Sequence, residues 1–282
     1  MNSNSTIGKE LIGRIFLQHK NLLSIVLIAF IPFLSISLKD TWQVYFYPIF
    51  LGMLWAFVVY SFFGDGNIPI KKSIFCFVFS ATVGVFLAKE GNEFIGAKLS
   101  FLPEVLFYIL VVGVIEESVK IIPVLVFLKR PKRDRITIRY IDIFVLSLIC
   151  GIGFSASENV DYKKVLDILT GVTVIVDPDK ISFYSNINLL RVISLPVLHG
   201  SFSAILGVIA FHGFTTGKFK NGVLLGLTWS AIVHGLYDSF IQSPLIKLTL
   251  VCVSYGTLLL LYRFCKYIDE MKRSEIATQT KC

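Results

Sequence analysis

Residues 101–128 read FLPEVLFYILVVGVIEESVKIIPVLVFL, an apolar run broken near its middle by Glu116, Glu117 and Lys120. At roughly 1.5 Å of rise per residue, a helix of this run crosses a hydrocarbon core of about 30 Å. Charges at that depth cost roughly 2.5–3.5 kcal/mol each on insertion scales, so they are read first as functional groups. Two further apolar runs carry a histidine at similar depth, His199 and His234. Carboxylates and imidazoles gathered inside a bilayer point to hydrolysis where water is scarce.

The rest of the chain belongs to the same class. It is 55% hydrophobic with 25 Phe and 11 Tyr, and its apolar stretches are too long and too many for a soluble core. The expected fold is an all-α, polytopic transmembrane bundle of eight spans, approximately 22–38, 44–63, 73–88, 102–128, 141–160, 188–211, 221–241 and 245–264. A strand barrel is excluded, because the runs are continuous and lack period-two alternation. Lys9, Arg14 and Lys20 precede the first span and no small-residue cleavage site follows it, so it is expected to be a retained helix.

Basic residues set the expected topology. With the N-terminus inside, eighteen lysines and arginines fall on cytoplasmic segments and seven outside, while Lys120 and Arg191 lie within spans. That bias predicts both termini in the cytoplasm and an even number of crossings. The net charge of +8 is then mainly this inside signal and an attraction to anionic lipid. A nucleic-acid partner is not expected, because no basic soluble domain is present. Cys76, Cys150, Cys252, Cys265 and Cys282 show no metal-ligand spacing and no disulfide framework. Without an internal repeat or a linker-like segment, residues 1–282 are expected to form a single membrane domain. The longest loop, 161–187, is expected outside, with its apolar stretch 165–176 along the interface.

Depth and helical spacing narrow the site. Glu116 and His199 each lie ~18 Å from the cytoplasmic ends of their spans and His234 ~20 Å from its own, whereas Glu158 and Asp238 come out higher at ~26 Å. Residues four apart share a helix face, which pairs Glu116 with Lys120, His234 with Asp238, His199 with Ser203, and Phe154 with Glu158. Each such face should point into the bundle, since exposure to lipid would cost several kcal/mol. Lys120 is placed to neutralise one glutamate, and Asp238 to orient His234 or take its proton.

This set can activate water. Two adjacent carboxylates in a low dielectric resist ionising together, which suits one of them to act as a general base. The histidines could stabilise an oxyanion, or could join Glu116 as ligands of a zinc ion. The soluble zinc-protease pattern His-Glu-x-x-His is absent, so a metal site of Glu116, His199 and His234 would be assembled from several spans.

Four patterns occur in order. Residues 116–120 fit Glu-Glu-x-x-Lys, 154–159 fit Phe-x-x-x-Glu-Asn, 199–203 fit His-x-x-x-Ser and 234–238 fit His-x-x-x-Asp. Together they resemble the PrsW family of intramembrane proteases and, more distantly, the CAAX prenyl proteases and bacteriocin-processing enzymes. The resemblance covers roughly residues 101–241, which would be the catalytic core. It implies a glutamate-dependent endopeptidase, assisted by histidine or by a metal, in a bacterial cytoplasmic membrane, cutting membrane-anchored proteins such as an anti-sigma factor. Carried over by position, Glu116 would be the general base and Glu117 its partner. His199 and His234 would be oxyanion or metal residues, with Glu158, Asn159 and Asp238 as supporting groups.

Plainer readings stand beside these. Glu117 could be only the structural partner of Lys120, and His199 and His234 only interhelical hydrogen-bonding groups worth ~0.6–2 kcal/mol. Glu158 and Asn159 lie near the outer boundary, where polarity is cheap. His212 and His19 fit solvated or interfacial positions, and Arg191 fits a snorkelling one. Gly151, Gly153, Gly207, Gly222 and Gly226 fit close helix approach. The rival functions are a proton-coupled transporter and a catalytically silent membrane scaffold. The transporter would show inverted repeats and paired broken helices, and none is visible.

Overall fold

The structure, a computed structural model, describes residues 40–64, 68–128, 138–173, 178–239 and 244–279. The first expected span, 22–38, lies outside them. Residues 1–47 and 48–282 form two compact units, and every candidate site residue belongs to the second.

Every element among the described residues is helical. In hydrocarbon each backbone N–H and C=O must be satisfied within its own segment, and a continuous apolar run can do this only as a helix. In chain order the helices are α1 (Asp40–Phe63), α2 (Ile70–Leu99), α3 (104–128, in four pieces), α4 (Tyr140–Thr173), α5 (Pro178–Thr215), α6 (Phe219–Ser239) and α7 (Pro244–Gln279). Four stretches are long and apolar enough to cross a membrane by themselves: Ile70–Leu99, Tyr140–Val160, Ser194–Thr215 and Leu248–Glu275.

Burial orders these helices. In the most apolar windows of α4 and α5, 89% and 83% of residues are buried, against 28% in α2 and 17% in α7. The bundle is therefore built on a central α4–α5 pair, which α6 and α3 complete. Helices α2 and α7 carry the lipid-type surface, with Phe86, Phe94, Val253 and Leu260 exposed. At one end of α4, the Asp269 carboxylate of α7 accepts the N–H groups of Tyr140 at 3.0 Å and Ile141 at 2.9 Å. It caps a helix to which it does not belong and fastens the far turns of α7 to the core.

Two expectations change. The 102–128 run is not one regular helix, since residues 108–113 wind as a π-helical turn and the helix breaks at Ile121. The break has a cause in Pro123, which lacks an N–H and crowds the carbonyl four residues earlier. Between the two irregularities stands Val114–Lys120, a short helix carrying Glu116, Glu117 and Lys120. Of the expected loop 161–187, residues 161–173 and 178–187 are helical instead, because α4 runs to Thr173 and α5 starts at Pro178. Proline is well placed at a first helical position, where its missing N–H would have had no partner.

The glycines act as expected, each set against a neighbouring helix. At Gly151 an added Cβ would overlap the His199 carbonyl oxygen and lie 2.6 Å from the Gly200 nitrogen. Rigid backbone stands on the other side, so the helices themselves would have to part. Gly151→Ala is expected to lower stability by at least about 1–3 kcal/mol and to displace His199. Thermal unfolding of the purified chain in detergent checks this, and an unchanged midpoint would remove the close α4–α5 contact as a requirement of the fold.

Candidate active site

Five helices contribute to one buried polar cluster. Lys120 is at its centre, fully buried, with three acceptors around its ammonium: Glu116 Oε2 at 3.3 Å, Glu117 Oε1 at 2.9 Å and His199 Nδ1 at 2.6 Å. An ammonium has three hydrogens to donate, and all three are used. The Phe154 ring lies across it, with its centroid 4.2 Å from Nζ, in a cation–π contact. The lysine thus serves both glutamates rather than one.

Chemistry then fixes the two histidines differently. Because Lys120 donates to Nδ1 of His199, that nitrogen is the acceptor and the ring proton is on Nε2, which lies 2.8 Å from Glu158 Oε2. His234 Nδ1 lies 2.9 Å from Glu117 Oε1, while its Nε2 faces Asp238 Oδ2 at 3.3 Å and Glu116 Oε2 at 3.6 Å. The two rings stand perpendicular with centroids 4.8 Å apart, and Phe202 stacks on His234 at 5.6 Å.

The adjacent glutamates are not equivalent. Glu117 is fully buried and saturated, with Oε1 shared between Lys120 and His234 and Oε2 accepting from Ser203 at 3.4 Å. Glu116 keeps 12% of its side chain accessible, Asp238 16% and Glu158 27%. Accessibility therefore grades from the sealed Glu117 towards Glu158, and Glu116 stands on the more accessible side. Asn159 is buried, and its Oδ1 has no hydrogen-bond partner among the described residues.

A residue absent from the four patterns does join. Asn92 of α2 donates through Nδ2 to Glu116 Oε1 at 3.4 Å. In sequence it falls beyond the span read as 73–88, because Lys89 and Glu90 look like a membrane boundary. The helix instead continues to Leu99. The signal that could have found it is its spacing with Val85, Ala88 and Gly96 on one helix face, all of them buried.

The ordered motifs, embedded in helices and converging on one cluster, have a counterpart over most of the chain: the profile of the PrsW family of intramembrane metalloproteases matches residues 68–263. The chain belongs to this family. It is accordingly a membrane-embedded, multi-pass protease. The match is longer than the 101–241 read from the motifs, since it takes in α2 with Asn92 and much of α7. No curated protein and no solved structure compared with the chain gives a match.

PrsW proteins are described as metalloproteases, so the donor set bears on a metal. One carboxylate oxygen of Glu116 and one nitrogen each of His199 and His234 lie within 4.8 Å of one another, all buried. Donors around a tetrahedral zinc at about 2.0–2.2 Å stand roughly 3.3–3.5 Å apart, so small side-chain rotations would close this set. Glu117 on the far nitrogen of His234 matches the carboxylate that commonly orients a metal-ligating histidine. Charge agrees, because the cluster sets one lysine among four carboxylates, Glu116, Glu117, Glu158 and Asp238. The residues fit a divalent cation, provided that His199 releases Glu158 or Lys120 to free a nitrogen.

Proposed function

We propose that this PrsW protein is an endopeptidase that hydrolyses peptide bonds of membrane-anchored proteins in a bacterial cytoplasmic membrane, an anti-sigma factor being one substrate of the right kind. The observation that carries this reading is the meeting of Glu116, His199 and His234 from three helices in one buried, partly wettable cluster. The accompanying arrangement is an eight-span bundle with both termini cytoplasmic, one membrane domain over residues 1–282, and a catalytic core over 101–241. The polar gradient towards Glu158 favours entry of water from the outer side.

In this mechanism Glu116 is the general base. It takes a proton from water as the water oxygen bonds to the scissile carbonyl carbon and the carbonyl electron pair moves onto oxygen. His199 and His234 polarise that carbonyl and hold the oxyanion once each turns its Nε2–H from its carboxylate partner, Glu158 or Asp238, to the substrate. As the carbon–nitrogen bond breaks, the proton on Glu116 passes to the leaving amine. Glu117 and Ser203 fix Lys120 and His234, while Glu158 and Asp238 orient the two imidazoles. In the alternative version of this site, Glu116, His199 and His234 would instead hold a zinc ion, which would supply Lewis-acid polarisation and an activated water in place of those roles.

The test is cleavage of a single-pass membrane protein reconstituted with the full chain in liposomes. Cut products are expected, as is their loss on treatment with a zinc chelator and recovery on adding zinc. Cleavage indifferent to the chelator would remove the metal from the mechanism. An intact, folded chain that cuts none of a panel of single-pass substrates would overturn the peptidase reading and leave the scaffold.

A further inference from the structure

Helix α2 meets α3 at Gly91 and Asn92. A Cβ at Gly91 would come within 2.9 Å of Ile115 Cγ2, so the Ile115 side chain packs against the bare glycine beside the point where Asn92 and Glu116 face each other. Lys89, Glu90 and Glu93 are exposed, and Asn92 alone of this polar stretch turns towards the bundle. Its amide orientation is chemically determined. A carboxylate only accepts, so the Nδ2 side must face Glu116, and reversal would set oxygen against oxygen.

The other half of the amide is the informative one. Asn92 Oδ1 is buried and has no hydrogen-bond partner among the described residues. A buried acceptor without a donor is costly and calls for an explanation. Here it lies one amide width from the nitrogen bonded to Glu116, on the carboxylate with the access that Glu117 lacks. A water molecule fits both demands, with one hydrogen towards a Glu116 oxygen and the other towards Asn92 Oδ1.

We propose that Asn92 holds the nucleophilic water of this site. The inference rests on Glu116 being the general base. Glu116 removes one hydrogen of the water, and the oxygen lone pair so aimed forms the bond to the carbonyl carbon. The second hydrogen stays on that oxygen, bonded to Asn92 Oδ1, and leaves with the new carboxylic acid product. With both hydrogens directed, the attacking lone pair has one orientation rather than many.

The test compares wild type, Asn92→Leu and Asn92→Ser as full-length chains reconstituted with a single-pass substrate. Asn92→Leu, similar in size but without an acceptor, is expected to lose kcat on the order of 100-fold with KM unchanged. Asn92→Ser restores an acceptor and space for water and should recover part of that loss. Wild-type kcat in Asn92→Leu would overturn the assignment. So would a raised KM at unchanged kcat, which would place Asn92 on the substrate, or equal impairment of both variants with lowered thermal stability. A second readout needs no turnover. An experimental density map of the wild-type chain should show an ordered water bonded to both Asn92 Oδ1 and the Glu116 carboxylate. A protein donor in that place, or no water there, overturns the proposal whether or not the chain cleaves, whereas a silent wild type with the water present counts against the peptidase reading alone.

Discussion

Glu116→Gln is expected to lower kcat on the order of 10³-fold while the chain still folds and inserts. Glutamine preserves the shape and still accepts from Asn92 at the position of Oε1, but its amide nitrogen then stands where Oε2 accepted from Lys120, so some stability is lost as well. What disappears is the ability to take a proton from water. The neighbouring Glu117→Gln makes the control. Glu117 is fully buried, bonded to Lys120, His234 and Ser203, so its neutralisation should cost stability first and activity as a consequence. Cleavage rates in liposomes, set beside thermal unfolding of both variants in detergent, separate the two roles. Should Glu116→Gln cleave at the wild-type rate, Glu116 is not the base and the mechanism must be rebuilt on another carboxylate.

Lys120→Met is expected to destabilise the fold by about 3–5 kcal/mol, the usual consequence of removing one partner of a buried ionic group and leaving the others uncompensated. The magnitude follows from the contacts. The ammonium donates to two carboxylates and one imidazole and has no exposed surface. Methionine would pack under Phe154 but satisfy none of them. The double variant Lys120→Met with Glu117→Gln should be less damaged than the sum of the single ones, since each relieves part of the charge exposed by the other. A Lys120→Met chain with an unchanged unfolding midpoint would mean that the cluster does not depend on its central lysine.

Much of the fold was legible because hydrocarbon allows so few structures. Apolar runs of span length require helices, and within them Glu116, His199 and His234 stand out as residues whose burial demands compensation. The equal depths obtained from a constant rise were enough to bring those three to one level, because helices that share a membrane share a ruler. The pairing of Asp238 with His234 followed from four-residue spacing alone and stands at 3.3 Å. Less legible was anything set by irregular winding. The π-helical turn at 108–113 and the break at Ile121 turn Val114–Lys120 relative to its flanks, and no periodicity in an all-apolar stretch reports such a turn. The 161–187 segment misled for a related reason. Its charges look like a loop to a hydropathy reading, yet helices can continue past a membrane surface without any apolar requirement.

The sequence by itself determined the class of molecule, the helices that carry charge, and the four motifs that mark a protease of the PrsW family. Those are properties of single segments, and a segment's chemistry is written in its own residues. Only the tertiary structure decided that Lys120 serves both glutamates and a histidine, that Glu117 is sealed while Glu116 is reachable, and that Asn92 enters from a helix without a motif. Each of these depends on which side chains from separate helices arrive within about 3 Å of one another, the range in which a hydrogen bond forms. That is a matter of helix rotation and approach, governed by glycine contacts and helix breaks, and one-dimensional spacing does not encode it.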